Sequence, residues 1–201
     1  MLFVLFHGSY GNNQENWLPY LKNQLEKLGQ EVILEQYPVE DYDAVVAKGK
    51  TYKSPVQNID TWTKKFSEIY ESKIKKRSDI VFIGHSLAPV FILEMVEKFL
   101  IPLQAAIFVS PFFVLHNLWK FDAVNGSFYR KNFDFETLKQ LIGKSYVLYG
   151  DNDPYVPAEQ PKEFAEKLGS EIFAIKNGGH LNKSAGFAKF PQLLEICKKF
   201  I

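Results

Sequence analysis

The chain has 201 residues, a length that suits one domain burying about 70% of its unfolded surface. Its 24 Lys and Arg against 23 Asp and Glu leave a net charge of +1, which excludes the concentrated basic footprint of a nucleic-acid surface. One Cys excludes an internal disulfide and fits a reducing, cytoplasmic compartment.

The chain opens on Leu2-Phe3-Val4-Leu5-Phe6, an apolar run that reads as a buried strand. It is too short for a membrane span and has neither the basic flank nor the cleavage site of a signal peptide. His7-Gly8-Ser9-Tyr10-Gly11 follows as a loop in which Gly8 allows close backbone approach. A helix is predicted over residues 14–28, with Trp17, Leu18, Leu21, Leu25 and Leu28 on one face, Pro19 in its first turn and Gly29 as its stop. Residues 32–36 read as the next strand. Residues 37–55, rich in Tyr, Pro and charge, read as a loop that shapes a pocket. A second helix is predicted over 56–75, with Ile59, Trp62, Phe66 and Ile69 facing inward. The basic run Lys73-Ile74-Lys75-Lys76-Arg77 falls at its end, where cations suit the helix dipole.

Asp79-Ile80-Val81-Phe82-Ile83 is a β-branched, apolar run, and Val90 to Phe99 is spaced for a helix. Between them stands Gly84-His85-Ser86-Leu87-Ala88. A Ser at a strand-to-helix turn, with small residues two before and two after it, is the nucleophile-elbow pattern. Ala88 stands where Gly is commoner. Residues 105–109 give another strand. Residues 110–135 lack a clear period and carry Phe112, Phe113, His116, Trp119, Phe121, Phe128 and Tyr129, a segment suited to line a pocket beside the sheet.

The strand at 145–150 leads into Asp151-Asn152-Asp153-Pro154-Tyr155-Val156-Pro157. A Ser nucleophile needs a base and the base an orienting acid, in the chain order Ser, acid, His. Asp153 lies in the loop proper and is favoured as the acid. Asp151 adjoins the strand and is expected to shape the turn by an Asx-type bond. Asp122 and Asp134 are weaker alternatives. A helix is predicted over 157–168 and a strand over 171–175. His180 then sits in the Gly178-Gly179-His180 loop, where a base would be needed. A last helix is predicted over 187–200. An oxyanion hole needs two donors: the N–H of Leu87, and that of Ser9 or Tyr10, with Ser9 taken first. His7 is read as a brace for its own loop.

Six strands alternating with helices predict a parallel sheet covered on both faces, in one domain spanning 1–201. Ligands bind such sheets at the C-terminal strand edges, where Ser86, Asp153 and His180 all fall. Tyr10, Phe112, Phe113 and Trp119 are the candidate pocket residues. Gly49-Lys50-Thr51 and Gly143-Lys144-Ser145 lack the earlier Gly of a phosphate loop. No His, Cys or Asp cluster has metal-ligand spacing, so neither a metal nor an organic cofactor is expected.

On His7-Gly8 with Trp17 and Leu21, Gly84-His85-Ser86-Leu87, Gly126-Ser127-Phe128, Asp153-Pro154-Tyr155-Val156-Pro157 and Gly178-Gly179-His180, the chain resembles the α/β-hydrolases. More narrowly, it resembles the small serine hydrolases grouped with retinoblastoma-binding protein 9. The resemblance implies an α/β-hydrolase core with little or no cap and a Ser86-Asp153-His180 triad. The chain is accordingly read as a cytoplasmic serine hydrolase of small esters or amides, with thioesters as a further option. It departs in Ala88 and in lacking a Leu-x-Cys-x-Glu motif. Cys197 lies in Leu194-Glu195-Ile196-Cys197-Lys198, so a retinoblastoma-type partner is not expected. The alternatives are a catalytically silent binding module on the same fold, or an acyltransferase or lyase using the same triad.

Overall fold

Strands buried on both faces need continuous apolar runs, and the four innermost strands supply them. In the computed structural model, which describes residues 1–114, 118–129 and 132–201, six strands form one sheet. They are β1 (Leu2–Phe6), β2 (Glu31–Leu34), β3 (Ile80–His85), β4 (Leu103–Val109), β5 (Ile142–Gly150) and β6 (Glu171–Ile175), in the order β2-β1-β3-β4-β5-β6. Every pairing is parallel. β1, β3 and the second half of β5 are buried throughout, whereas the edge strands β2 and β6 are half-exposed.

Alternation along each strand divides the core in two. Phe3, Leu5, Val81, Ile83 and Ile107 meet Trp17, Leu21 and Leu25 together with Leu193 and Ile196 on one face of the sheet. Val4, Phe6, Phe82 and Phe108 face the opposite way, toward Trp62, Phe66, Phe91 and Phe164. The first layer is α1 (Leu18–Lys27) with α8 (Pro191–Lys198). The second contains α3 (Ile59–Ile69), α4 (Ala88–Phe99), α6 (Phe135–Leu141) and α7 (Glu159–Leu168). Two short helices, α2 (Tyr42–Lys48) and α5 (Trp119–Asn125), lie in the segments read from sequence as pocket loops.

The helix boundaries follow local chemistry. α1 starts at Leu18 rather than residue 14, because Pro19 belongs in a first turn and Asn16 has a left-handed φ of 56°. α4 starts two residues earlier than expected, again with its proline in the first turn. α3 begins on Asn58, whose side chain accepts the N–H groups of Asp60 and Thr61, and it runs on into a π-helical turn over Tyr70–Ile74. Asp41 and Asp134 cap α2 and α6 in the same manner.

The topology positions the site. From β1 the chain passes outward to β2, then returns to β3 on the other side of β1. The strand order therefore reverses between β1 and β3, which opens a crevice beyond their C-terminal ends. The registers Phe6↔Gly84, His85↔Val109 and Gly150↔Ile175 keep those ends close to level. The loops after β1, β3, β5 and β6 consequently emerge along one edge.

Candidate active site

Ser86 follows β3 directly and has φ of 62°, a left-handed value that costs a non-glycine residue energy. Its N–H donates to the Val109 carbonyl at 2.8 Å, and α4 starts two residues later. The turn closes only because its neighbours are small. A Cβ on Gly84 would stand 2.7 Å from Ile92 Cδ1 and 3.1 Å from both the carbonyl carbon and Cβ of Ala88. A Cβ on Gly8 would stand 2.8 Å from Ser86 Cβ. Ala88 therefore fits because Gly84 leaves room for its methyl group.

Ser86 Oγ lies 3.0 Å from His180 Nε2, and His180 Nδ1 lies 2.7 Å from Asp153 Oδ2. The other carboxylate oxygen of Asp153 accepts the N–H groups of Tyr155 and Val156 at 2.9 and 3.1 Å. Both oxygens are thus committed, and the Asp153 side chain is 2% exposed. Burial pushes its carboxyl upward. The hydrogen bond and charge of His180, with the two N–H donors, outweigh that effect and hold it below the usual carboxylate value.

The imidazole is held through its backbone as well. His85 Nε2 donates to the His180 carbonyl at 2.9 Å, and Trp17 Nε1 donates to that of Leu181 at 3.0 Å. His85 is buried, and desolvation with the neighbouring His180 pushes its pKa down to about 3. The acid and histidine loops meet backbone to backbone: a Cβ on Gly150 would stand 2.1 Å from the Gly179 carbonyl oxygen. Asn152 Oδ1 accepts the Gly179 N–H and Asp151 Oδ1 accepts that of Asn177, each at 2.7 Å. Asp151 therefore bridges two loops instead of closing an Asx turn of its own. The Asx-type bonds belong to Asp153, because that carboxylate reaches the two N–H groups after Pro154.

His7 braces its loop as read from sequence. Its Nδ1 donates to the Gly8 carbonyl at 2.9 Å, and its Nε2 accepts the Tyr37 N–H at 3.0 Å. Burial lowers its pKa. Neither nitrogen is left to act as a base.

A cavity of about 350 Å³ opens over Ser86 and His180. Of the four pocket residues expected from sequence, Tyr10 and Phe112 line it. Phe113 and Trp119 do not. Phe113 turns into the core and stacks on Phe164, with centroids 4.5 Å apart. Helix α5 presents Phe121 and Asn125 to the cavity, and Trp119, two residues before Phe121, points about 200° away around the helix. His116 lies outside the described residues.

Tyr42, Phe121, Tyr155 and Asn125 also line the cavity and were not singled out in sequence as site residues. Phe121 packs on Tyr10 at 5.6 Å and on Tyr155 at 5.7 Å, and Tyr155 packs edge-on against His180 at 5.2 Å. Aromatic rings thus run from the β1 loop to the imidazole. The i, i+4 spacing of Phe121 and Asn125 was a readable signal once a helix was assigned there.

The N–H groups of Leu87 and Ser9 have no acceptor among the described residues, whereas that of Tyr10 donates to Gln57 Oε1 at 3.2 Å. Among the described residues, no group of three His, Cys, Asp or Glu could hold a metal ion. No helix there is long and apolar enough to cross a membrane.

A family model described as serine hydrolase matches residues 3–199. YdeN of Bacillus subtilis (strain 168) is 22% identical over 200 residues, which cover 98% of this chain and 94% of YdeN. The crystal structure of the ydeN gene product superposes with a TM-score of 0.83 at 20% identity, covering 99% and 97% of the two chains. Est1E from Butyrivibrio proteoclasticus, solved with ferulic acid, superposes at 0.66 with 17% identity, over 98% and 89%. At such identities these structures establish a shared fold, that of the α/β-hydrolases.

Proposed function

The chain belongs to the serine hydrolase family, and we propose that it cleaves small esters, amides or thioesters through an acyl-enzyme on Ser86. The observation that carries this reading is the relay of Ser86, His180 and Asp153, with hydrogen-bond spacings of 3.0 and 2.7 Å, at one edge of the sheet. Ser86 Oγ attacks the acyl carbon while His180 Nε2 takes its proton. Asp153 fixes the tautomer that carries hydrogen on Nδ1 and stabilises the imidazolium. The N–H groups of Leu87 and Ser9 receive the developing oxyanion. Collapse breaks the bond to the leaving group, and His180 returns the proton to that group as it departs. Water, activated by the same imidazole, then releases the acid and restores Ser86.

Two features narrow the substrate. The cavity wall built by Tyr10, Phe121 and Tyr155 favours a flat apolar group. Tyr155 lies against the imidazole that serves the leaving group, so this wall is assigned to the alcohol or amine side. The reaction as written needs no cofactor. A buried, unpaired Cys197 fits a cytoplasmic setting.

Labelling with a fluorophosphonate probe tests the reading, because the probe reacts with an activated serine. Wild type should label and hydrolyse aryl esters, and folded Ser86→Ala should do neither. A folded wild type that fails to label, or a Ser86→Ala protein that labels as well as wild type, would overturn it.

A further inference from the structure

Gln57 and Asn125 are 0% and 1% exposed, and their amides belong to one chain of hydrogen bonds whose directions are fixed. A backbone N–H can only donate, so the Tyr10 N–H sets Gln57 Oε1 as its acceptor. Gln57 Nε2 must then be the donor to Asn125 Oδ1, at 3.2 Å. The Ser9 hydroxyl also donates to Asn125 Oδ1, at 2.6 Å. The Gln57 amide oxygen and nitrogen and the Asn125 amide oxygen therefore each have a partner, and a buried network paired in this way rigidifies what it touches.

The network touches the Ser9 hydroxyl and the Tyr10 backbone N–H. Tyr10 is held at a left-handed φ of 53°, with its N–H turned to Gln57 and its hydroxyl donating to the Lys120 carbonyl of α5. The adjacent Ser9 N–H is left without an acceptor among the described residues. α5 is itself anchored, since the Ala123 carbonyl accepts the Ser54 N–H at 3.1 Å.

We propose that Gln57 and Asn125 are positioning residues that select the Ser9 N–H, and not that of Tyr10, as the second oxyanion donor, making α5 a fixed wall of the oxyanion hole. The proposal rests on Ser86 being the nucleophile. It assigns Asn125 an effect on the transition state rather than on substrate affinity.

The test compares an ester with its thionoester, whose sulfur accepts hydrogen bonds poorly. A working oxyanion hole favours the oxygen substrate, so the ratio of the two kcat values reports the hole itself. In Asn125→Leu, kcat for the ester should fall about 10- to 100-fold with KM changed less than about threefold, and the ester-to-thionoester ratio should fall with it. A variant that was merely destabilised would lose both activities in parallel. A folded Asn125→Leu enzyme that keeps the wild-type ratio overturns the proposal. If that variant fails to fold, Ser9→Ala decides by the same ratio, because it removes one half-exposed hydroxyl and leaves the backbone N–H in place. A lowered ratio supports the proposal, and an unchanged one overturns it. Wild type that cannot be labelled at Ser86 would instead mark failure of the underlying active-site reading.

Discussion

Ser86 pays no visible steric penalty beyond its own backbone, because Gly8 on one side and Gly84 on the other leave the space its turn requires. Strain of this kind, about 1–3 kcal/mol for a residue held at positive φ, persists only where the surroundings over-determine it. Gly8→Ala should therefore act directly on Ser86, the proposed nucleophile. The added Cβ would stand 2.8 Å from Ser86 Cβ and 3.1 Å from the His85 carbonyl oxygen, so the serine must move. The expected result is a loss of about tenfold or more in kcat/KM, since small misplacements of reacting groups are costly. Gly126→Ala, where an added Cβ meets nothing within 4 Å, should leave activity within about twofold in the same assay. Equal activities would show that the turn tolerates displacement. Residues with such backbone duties were legible in the sequence, because the spacing of Gly84, Ser86 and Ala88 expresses a local steric need. Gln57 and Asn125 were not legible. Their partners lie 47 to 116 residues away, and a lone buried amide has no local signature.

Strand cores were the most legible elements, since double burial demands an unbroken apolar run: the predicted run Leu2–Phe6 matches β1 at both ends. Short helices were obscured. α2 and α5, seven residues each, are too brief to display a clear period in aromatic-rich sequence. Missing α5 also misassigned its face, which is why Trp119 was expected in the cavity and Phe121 was not selected. The position of Phe121 on that face gives a prediction. It touches both Tyr10 and Tyr155, so a ring on the leaving group would meet it as part of an aromatic wall. Benzyl and cyclohexylmethyl esters of one acid differ mainly in ring character. The ratio of their kcat/KM values should favour the benzyl ester in wild type and fall about three- to tenfold in Phe121→Leu, the scale of one aromatic contact. A ratio that Phe121→Leu leaves unchanged would remove this wall from the leaving-group side.

At the scale of the whole molecule, the sheet brings together groups distant in the chain, and the tie from His85 to the His180 carbonyl spans 95 residues. That tie has a consequence for acid stability. His85 is driven from an ordinary value of 6.5 down to about 3 by burial and by His180. Between these values the unfolded chain binds a proton at this position and the folded chain does not, so stability falls as pH falls from about 6.5 toward 3. His7, also lowered by burial, adds in the same direction. Asp153, lowered as well, contributes stability above the ordinary carboxylate range that is lost only at still lower pH, as its folded value is reached. The histidines therefore govern the first part of the decline. One proton corresponds to about 1.4 kcal/mol per pH unit. His85→Gln keeps a side-chain donor for the His180 carbonyl but cannot titrate. Urea unfolding at intervals from pH 6 to pH 4 should give a slope of stability against pH shallower by about one proton in His85→Gln than in wild type. The slope isolates the titration from any fixed cost of the substitution, which shifts the whole curve without tilting it. Parallel curves would mean that His85 accepts its proton in the folded protein as readily as in the unfolded chain, and that the buried tie to His180 opens to water well before the sheet does.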